Sequence, residues 1–394
     1  MGKSVILGAA RTPFGKMGGA LASKSAPELG GTAISAALDR AEVAPNQVEH
    51  VIFGQVLQAG QGQIPSRQAQ IQGGIPNDVP SETVNKVCAS SLRAVGMLDQ
   101  AVRAGDVGVG VAGGMESMSN APYLLPNARF GYRMGDAQAI DAMMHDGLTN
   151  PFTSKKMGAE ADEVAEEFEM TRADMDKFSV RSHKLAVEAT EAGRLPEEIV
   201  AVTVKSRKAE TTVEVDEAPR PDADLETLSK LRPAFNKEGT HTAGNAPGVN
   251  DGAGALVVAS EEWAKSNDRE PLATIIGQAA VADDFPYLAR TPGNATKLLL
   301  EKTGFTVDDI DLFEINEAFA SVALNSMRML DAPEDKVNVN GGAIALGHPI
   351  GASGARILMT LIYELRRRGG GRGVAAICSG GGQGDAVMVE VNGG

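Results

Sequence analysis

The sequence predicts an α/β protein built from two similar halves, with a charged segment inserted into the first half. Three observations predict this arrangement. Glycine accounts for 46 of the 394 residues, about 12% against a usual ~7%, and it has no collagen-like period. The order of apolar strands and helices near the N-terminus recurs near the C-terminus. Between these two regions charge density rises and glycine almost disappears.

The two flanking regions contain matching elements in the same order. In each, a strand is followed by a turn that starts at a Val-Asn pair, then by a helix and a Gly-rich strand. The matching segments are 47–54 and 307–314, 84–85 and 339–340, 91–103 and 353–368, and 107–114 and 374–380. The second of these helices is apolar on nearly all sides, so it must be covered on more than one side. We therefore predict two α/β halves that sandwich helices between two sheets.

The inserted segment is recognised by its charge. Residues 155–239 hold 34 charged residues in 85 positions, whereas the whole chain is 22% charged. Apolar residues recur at helical spacing over 160–169 and 172–191, which predicts a solvated and largely helical insertion. We assign 1–117 to the first half, 118–249 to the insertion, 250–271 to the closing strand of the first half, and 272–394 to the second half.

The composition excludes several classes of protein. The net charge of −14 argues against nucleic acid or an anionic membrane as the main partner. No apolar run approaches the ~18 residues that cross a bilayer, and the N-terminal residues lead us to expect no signal peptide. Two cysteines 290 positions apart are not a disulfide framework. We therefore expect a cytoplasmic protein without a membrane or nucleic-acid partner.

Cys88 is the first candidate for chemistry. It follows an apolar stretch and precedes a helix that we expect Ser90 or Ser91 to cap. A thiol at a helix N-terminus faces the positive end of the helix dipole, which favours the thiolate and suits a nucleophile. The alternative for a lone cysteine is a small buried hydrophobe.

Two further candidates stand where predicted strands end. Cys378 ends a strand and enters a glycine turn, whose backbone N–H groups could face a developing oxyanion. Asn316 follows the strand over 310–315, at the usual position of a site in α/β proteins. The alternatives are a core cysteine and an asparagine that caps the next helix.

His348 lies in a turn that is longer than its counterpart in the first half. Asn85 to Ser91 is six steps, whereas Asn340 to Ser353 is thirteen. A long Gly-rich turn with one histidine indicates function, and a hydrogen-bonded loop histidine is the alternative. We predict that the other four histidines lie at the surface; they are His50, His145, His183 and His241. No HxxxH or CxxC spacing occurs, so we expect no metal site.

A run of glycines offers a different interpretation. Gly108, Gly110 and Gly113 match the G-x-G-x-x-G fingerprint of dinucleotide-binding proteins. The run overlaps an apolar strand instead of following one and opening a helix. We therefore interpret it as close packing between strands, and a cysteine-dependent NAD dehydrogenase as a remote alternative.

Together these residues resemble the signature blocks of the thiolase family, in order and in spacing. The blocks are Asn-Lys-Val-Cys-Ala-Ser-Ser at 85–91, Asn-Glu-Ala-Phe at 316–319, Gly-His-Pro at 347–349 and Cys-Ser-Gly-Gly at 378–381. The resemblance runs from residue 10 nearly to the C-terminus and is to the bacterial acetyl-CoA acetyltransferase group. It implies a layered αβαβα sandwich with an inserted CoA-binding loop domain.

The resemblance implies a role for each candidate residue. Cys88 would take an acyl group from acyl-CoA while His348 accepts its proton. Cys378 would then remove the α-proton of a second acetyl-CoA. His348 and a water on Asn316 would hold the enolate oxygen, and the backbone N–H groups of Cys88 and Gly380 would form a second oxyanion hole.

The resemblance also implies the contacts with substrate. These residues are Arg220 near the nucleotide, Phe235 against adenine, Ala243, Pro247, and Met157 and Phe319 at the pantetheine and acyl end. A solvated arginine and ordinary core packing are the alternatives. The implied molecule is a homo-oligomer, a dimer or a tetramer, that uses CoA thioesters and no other cofactor.

Three departures from the family pattern leave the preferred acyl chain length open. Pro247 replaces the serine of an Asn-Ala-Ser-Gly block, and Lys156 replaces a common histidine. The segment 287–293, with Leu288, replaces a Met-Gly-x-Gly-Pro loop. We expect reversible condensation of two acetyl-CoA to acetoacetyl-CoA, with thiolysis of longer 3-ketoacyl-CoAs or non-enzymatic acyl-CoA binding as alternatives.

Overall fold

The computed structural model describes residues 2–205 and 209–393; residues 206–208 of the predicted insertion and the two terminal residues lie outside this part. The strands are β1 Ser4–Arg11, β2 Gly15–Lys16, β3 His50–Gly54, β4 Ser81–Val84, β5 Val109–Ser117, β6 Tyr123–Leu124, β7 Ile140–Asp141, β8 Val202–Lys205, β9 Glu210–Val213, β10 Asn250–Ser260, β11 Ala273–Ala282, β12 Leu312–Ile315, β13 Gly371–Ser379 and β14 Gln383–Val391. The helices are α1 Ala26–Ala41, α2 Pro65–Gln72, α3 Ser90–Ala104, α4 Met157–Ala165, α5 Arg172–Glu191, α6 Leu225–Ser229, α7 Glu261–Ser266, α8 Thr291–Thr303, α9 Ala320–Leu330, α10 Ala343–Leu346 and α11 Ser353–Arg367. In this part of the chain no helix combines the length and the apolar character needed to cross a membrane.

The main strands form one mixed sheet with the order β12-β13-β14-β11-β1-β10-β5-β3-β4, and β2 pairs with β10. The first half of the chain supplies β1, β3, β4, β5 and β10, and the second supplies β11 to β14. Strands β1 and β11 pair antiparallel from Ser4–Ile275 to Ile6–Ala273. The two predicted sheets are therefore hydrogen-bonded to each other at this edge.

The two halves repeat the same pairing. β3 is parallel to β5 as β12 is parallel to β13, and β10 is antiparallel to β5 as β14 is antiparallel to β13. Even the irregularities match, since the register shifts between Ile6 and Gly8 in β1 and between Ile275 and Gly277 in β11. The duplication expected from the order of elements is present in the fold.

Helices lie in three layers around the two halves of the sheet. α3 and α11 pack together in the middle, in one core cluster that holds Ile52 of β3 and Ile377 of β13. α1 and α2 cover the outer face of the first half, where Phe53 points, because successive strand residues face opposite sides. α8 and α9 cover the outer face of the second half. This arrangement is the predicted αβαβα sandwich.

The insertion follows β5 and returns at β10. Its helix α5 has the predicted bounds and begins at Thr171, whose side chain accepts a hydrogen bond from the backbone N–H of Asp174. The preceding helix α4 ends at Ala165, earlier than the predicted 169. Buried Arg11 of β1 ties the insertion to the sheet, with Glu198 at 2.6 Å and Asp216 at 2.7 Å. Such paired and hydrogen-bonded charges tolerate burial.

Candidate active site

Cys88 lies in the tight turn between β4 and α3. Val87, just before it, has a φ of +43°, a conformation that β-branched residues rarely adopt and that is often found at functional sites. Ser90 closes the turn, because its Oγ accepts the backbone N–H of Lys86 at 2.8 Å and donates to the carbonyl of Val87 at 2.6 Å. The prediction that Ser90 or Ser91 caps the helix is wrong. Both lie inside α3, and Ala89 is at its cap position without a side-chain hydrogen bond.

The Cys88 thiol is buried. Burial raises its pKa to about 12, and the negative Glu116 adds to this shift, although the backbone N–H groups of Cys88 and Gly380 oppose it. Desolvation thus opposes the expected effect of the helix N-terminus, and the pKa shift runs against the thiolate predicted from the sequence. A base must take the proton when this sulfur reacts.

His348 presents a nitrogen that can act as that base. Its backbone N–H donates to Asn250 Oδ1 at 2.9 Å, and its Nδ1 lies 2.6 Å from Ser353 Oγ. The Ser353 hydroxyl donates to the carbonyl of Pro349 at 2.9 Å, so we assign the ring proton to Nδ1. Nε2 is then a buried acceptor with no partner among the described residues. Burial and the Arg356 charge lower the pKa of His348 to about 3, which keeps the ring neutral.

Cys88 and His348 line the same cavity, which has a volume of about 260 Å³ and largely apolar walls. Four of the predicted substrate-binding residues also line it; these are Met157, Phe235, Pro247 and Phe319. The two others, Arg220 and Ala243, are exposed and lie outside the residues that line this cavity.

Cys378 is fully buried near the end of β13, next to the Cys88 turn. It packs with Met157, Phe319 and Leu288. Burial raises the pKa of its thiol, and the neighbouring Cys88 adds to this shift. The structure thus brings together two thiols that are 290 positions apart in the sequence.

Asn316 lies at the carboxyl end of β12 with its side chain fully buried. Its backbone N–H donates to the carbonyl of Ala376 at 2.9 Å. Its side-chain Oδ1 and Nδ2 have no partner within residues 2–205 and 209–393. Because α9 has Phe319 at its cap position, Asn316 does not cap the helix. A buried amide without a partner costs about 1–3 kcal/mol, so such a group indicates a position where substrate or water binds.

The chain is similar to known proteins over nearly its whole length. The family model of the thiolase N-terminal domain matches residues 4–262, and that of the C-terminal domain matches residues 269–391. The chain belongs to the thiolase family. An acetyl-CoA acetyltransferase of Cupriavidus necator is 50% identical over 98% of both chains, and one of Chromobacterium violaceum is 49% identical over the same share. The crystal structure of the Bacillus anthracis acetyl-CoA acetyltransferase superposes with a TM-score of 0.97 at 40% identity, over 99% of both chains.

The three departures from the thiolase pattern all lie at or beside the cavity. Lys156 and Pro247 line it directly. Leu288 is buried against Met157 and Cys378, in the loop that precedes α8. The neighbouring Arg290 fixes this loop, since its guanidinium pairs with Asp283 at 2.7 Å. Lys156 and Pro247 therefore form part of the cavity wall, and Leu288 packs behind Met157 of that wall.

Glu116 is a residue of this thiolase site that the sequence analysis missed. Its carboxylate accepts the backbone N–H groups of Val56 at 3.0 Å, Leu57 at 3.1 Å and Gly351 at 3.0 Å. It therefore anchors the turn of His348 to β5. Burial raises the pKa of Glu116 to about 7. A charged residue within an otherwise small and apolar strand is the signal that could have identified it.

Two histidines of this thiolase are not at the surface as predicted. His183 and His241 are buried because polar neighbours satisfy their rings; the Nδ1 of His183 accepts the backbone N–H of Arg220 at 3.2 Å. Burial lowers the pKa of His183 to about 4, and the Arg220 charge acts in the same direction. Over the described ranges, no three His, Cys, Asp or Glu side chains are grouped as a metal site.

Gly110 and Gly113 of the glycine run lie within β5, and Gly108 immediately precedes this strand. An added Cβ at Gly113 would come 2.1 Å from the carbonyl oxygen of Gly254, and one at Gly110 would come 2.8 Å from that of His50. These glycines therefore allow close strand packing, as interpreted from the sequence. The run opens no helix, and it does not support dinucleotide binding in this thiolase.

Proposed function

We propose that this chain is an acetyl-CoA C-acetyltransferase, which reversibly condenses two acetyl-CoA into acetoacetyl-CoA and CoA. The observation that carries the proposal is the shared cavity of the Cys88 thiol and the unpartnered Nε2 of His348. The second thiol, Cys378, is a close neighbour of Cys88. Two relatives that are 49% and 50% identical over nearly their full length are named acetyl-CoA acetyltransferase.

In the first half-reaction, His348 Nε2 accepts the thiol proton while Cys88 Sγ attacks the thioester carbonyl. Hydrogen bonds from the backbone N–H groups of Cys88 and Gly380 both lower the pKa of the Cys88 thiol. During the attack the same two groups would donate to the carbonyl oxygen as it becomes negative. One such donor is typically worth ~3–4 kcal/mol. The C–S bond to CoA then breaks, and the leaving sulfur takes the proton from His348. An acetyl group remains on Cys88.

In the second half-reaction, the Cys378 thiol passes its proton to His348 Nε2, and the resulting thiolate removes a proton from the methyl carbon of a second acetyl-CoA. The enolate oxygen accepts hydrogen bonds from the protonated Nε2 of His348 and from a water held by Asn316. The enolate carbon attacks the acetyl carbonyl on Cys88, the C–S bond breaks to give acetoacetyl-CoA, and the Cys88 sulfur takes the proton from His348. Holding the two reactants side by side supplies much of the rate advantage.

CoA thioesters are the small molecules this scheme needs, and we propose no further cofactor. Arg220 and Ala243 lie outside the cavity, so we assign them to the nucleotide end of CoA. We also propose a cytoplasmic homo-oligomer. Support for self-association comes from the segment between β6 and β7, where Phe130 is 84% and Met134 98% exposed, since large exposed apolar side chains mark interaction surfaces.

Thiolysis of longer 3-ketoacyl-CoAs is a second candidate, and one observation favours it. A second cavity of about 420 Å³ shares Met157 with the catalytic cavity and is also lined by Val87 and Gly380. A longer acyl chain could extend past Met157 into this space. Thiolysis rates for four-carbon and longer substrates distinguish the two candidates, and a marked preference for long chains would exclude the first.

Covalent labelling tests the proposal. After incubation with acetyl-CoA, intact-mass measurement and peptide mapping should find an acetyl group on Cys88. Cys88→Ser should carry no thioester adduct, and Cys378→Ala should still be acetylated at Cys88. An unmodified wild-type protein would contradict the proposed function.

A further inference from the structure

Three side chains outside the proposed catalytic set form a continuous hydrogen-bonded chain. The ring of His241 lies between Asp162, with Nδ1 2.7 Å from Oδ1, and Ser321, with Nε2 2.8 Å from Oγ. The order Ser–His–Asp is that of a hydrolase triad. Ser321 is buried and is not among the residues that line the catalytic cavity. Ser321 is therefore not placed to attack a substrate. The three hydrogen-bonded residues can instead hold neighbouring side chains in position.

The direction of the hydrogen bonds follows from Asp162. Burial raises the pKa of this carboxyl, but hydrogen bonds from His241 outweigh the effect and leave the pKa below its ordinary value. The ionised carboxylate also accepts the backbone N–H groups of Thr240 at 2.9 Å and His241 at 3.0 Å. His241 Nδ1–H thus donates to Asp162, and in the neutral ring Nε2 accepts the hydroxyl of Ser321.

The three residues come from three segments, and each segment supplies part of the cavity wall. Asp162 is in α4, His241 is in the loop before β10, and Ser321 is the second residue of α9. The wall residues of these segments are Lys156, Met157 and Gly158; Phe235, Ala246, Pro247, Gly248 and Val249; and Ala318 and Phe319. The hydrogen bonds from Asp162 through His241 to Ser321 therefore connect all three segments of the wall.

Ring contacts connect His241 directly to the wall. Its ring meets that of Phe319 edge to face, with centroids 5.2 Å apart, and Phe319 meets Phe235 in the same way at 5.9 Å. Gly158 lies flat against Phe235, where an added Cβ would come 2.3 Å from the ring. Phe319 is the N-cap residue of α9, and its side chain makes no capping hydrogen bond. The hydrogen bond from Ser321 to His241 thus anchors the start of α9 beside Phe319.

We propose that Asp162, His241 and Ser321 are positioning residues that hold the aromatic wall formed by Phe235 and Phe319. This wall would contact the pantetheine and acyl end of a bound CoA thioester. The proposal rests on the proposed function, in which the cavity binds acyl-CoA. Loss of a hydrogen bond among these three residues should weaken substrate binding. It should leave the rate at saturating substrate unchanged, because Cys88 and His348 keep their own partners.

Steady-state thiolysis of acetoacetyl-CoA by the full-length protein tests this. Ser321→Ala should raise KM about fivefold, which corresponds to one ordinary hydrogen bond, and change kcat by less than about twofold. His241→Asn keeps an N–H for Asp162 but does not reach Ser321, so it should raise KM by a similar factor. The double variant should show no further increase, because both changes remove the same link.

Ser326→Ala is the matched control. Ser326 is also buried in α9, but its hydroxyl donates to the carbonyl of Val322 at 2.7 Å within the helix. We expect a similar change in melting temperature and an unchanged KM. Equal KM increases in the control and in Ser321→Ala would overturn the proposal, as would an unchanged KM in both Ser321→Ala and His241→Asn.

The acetyl adduct on Cys88 distinguishes a failure of the proposed function from a failure of the positioning role alone. Ser321→Ala should form this adduct at saturating acetyl-CoA as the wild type does. A wild type without the adduct would overturn the proposed function and this proposal together. A normal adduct with an unchanged KM would overturn the positioning role alone.

Discussion

The turns that lead into the two central helices differ in length and in chemistry. The first takes six steps from Asn85 to Ser91, and the second takes thirteen from Asn340 to Ser353. The short turn holds Cys88 against the start of α3. The longer turn has room for α10 and for His348. The duplicated scaffold thus brings the proposed nucleophile from one half and the proposed base from the other to one cavity.

Serines near the start of the two helices show the same divergence. Ser91 Oγ accepts the backbone N–H of Ala355 at 2.9 Å, which joins α3 to α11. Ser353 Oγ lies 2.6 Å from His348 Nδ1 and orients the imidazole. Glu116 of the first half also holds the turn of His348 through Gly351. The first half therefore supports the geometry of the base in the second half.

Replacing His348, the proposed base, should have the largest effect on the rate of the reaction. His348→Ala should slow acetylation of Cys88 by about 10²–10⁴-fold, because a buried thiol without a base stays protonated. Quenched-flow acetylation followed by mass spectrometry measures the rate. His145→Ala, at an exposed histidine paired with Asp146, is the control and should react normally. Fast acetylation of His348→Ala would place the base elsewhere.

Replacing the second thiol should separate the two half-reactions. Cys378→Ala should acetylate Cys88 at close to the wild-type rate and condense at least about 100-fold more slowly, because it lacks the group that removes the α-proton. The two rates are measured on the same preparation by mass spectrometry and by acetoacetyl-CoA formation. Retained condensation would show that Cys378 is not the base of this step.

Removing the unpartnered amide should have a smaller effect. Asn316→Ala should slow condensation about 10- to 100-fold, since it acts on the enolate oxygen through a water and not directly. Acetylation of Cys88 should be unchanged. The same rate comparison measures both steps, and equal losses in the two would argue for a general structural defect.

The pH dependence of alkylation tests the difference between a buried and an activated thiol. With a pKa raised to about 12, the thiolate fraction of Cys88 should rise about tenfold per pH unit below that value. Iodoacetamide labelling of Cys378→Ala between pH 6 and pH 9 follows Cys88 alone. A plateau near neutral pH would instead indicate a thiolate stabilised by the helix N-terminus.

The last prediction concerns the free energy of unfolding. The pKa of His348 is lowered to about 3 from an ordinary 6.5, so the unfolded chain binds a proton that the folded chain does not. The free energy of unfolding should therefore fall as the pH drops from 6.5 towards 3, by up to about 1.4 kcal/mol per pH unit from this group. His348→Gln should have a shallower slope in denaturant unfolding measured across this range. An identical slope would show that the folded imidazole titrates normally.

The sequence by itself determined the duplication, the charged insertion and the bounds of α5, and it singled out Cys88, His348, Cys378 and Asn316 as candidate site residues. These follow from local periodicity, from the order of elements and from short blocks of residues, which one segment of chain specifies. The family models identify the same family as the short blocks did, because the blocks retain the order and spacing of that family.

The tertiary structure alone decided the burial of the thiols, the role of Glu116 and the chain from Asp162 through His241 to Ser321. Glu116 reaches Gly351 across 235 positions, and His241 reaches Ser321 across 80. Burial raises the pKa of Cys88 against the direction that its local helix predicts. Desolvation and hydrogen bonding depend on which distant groups the fold brings together, and no local pattern in the sequence carries that information.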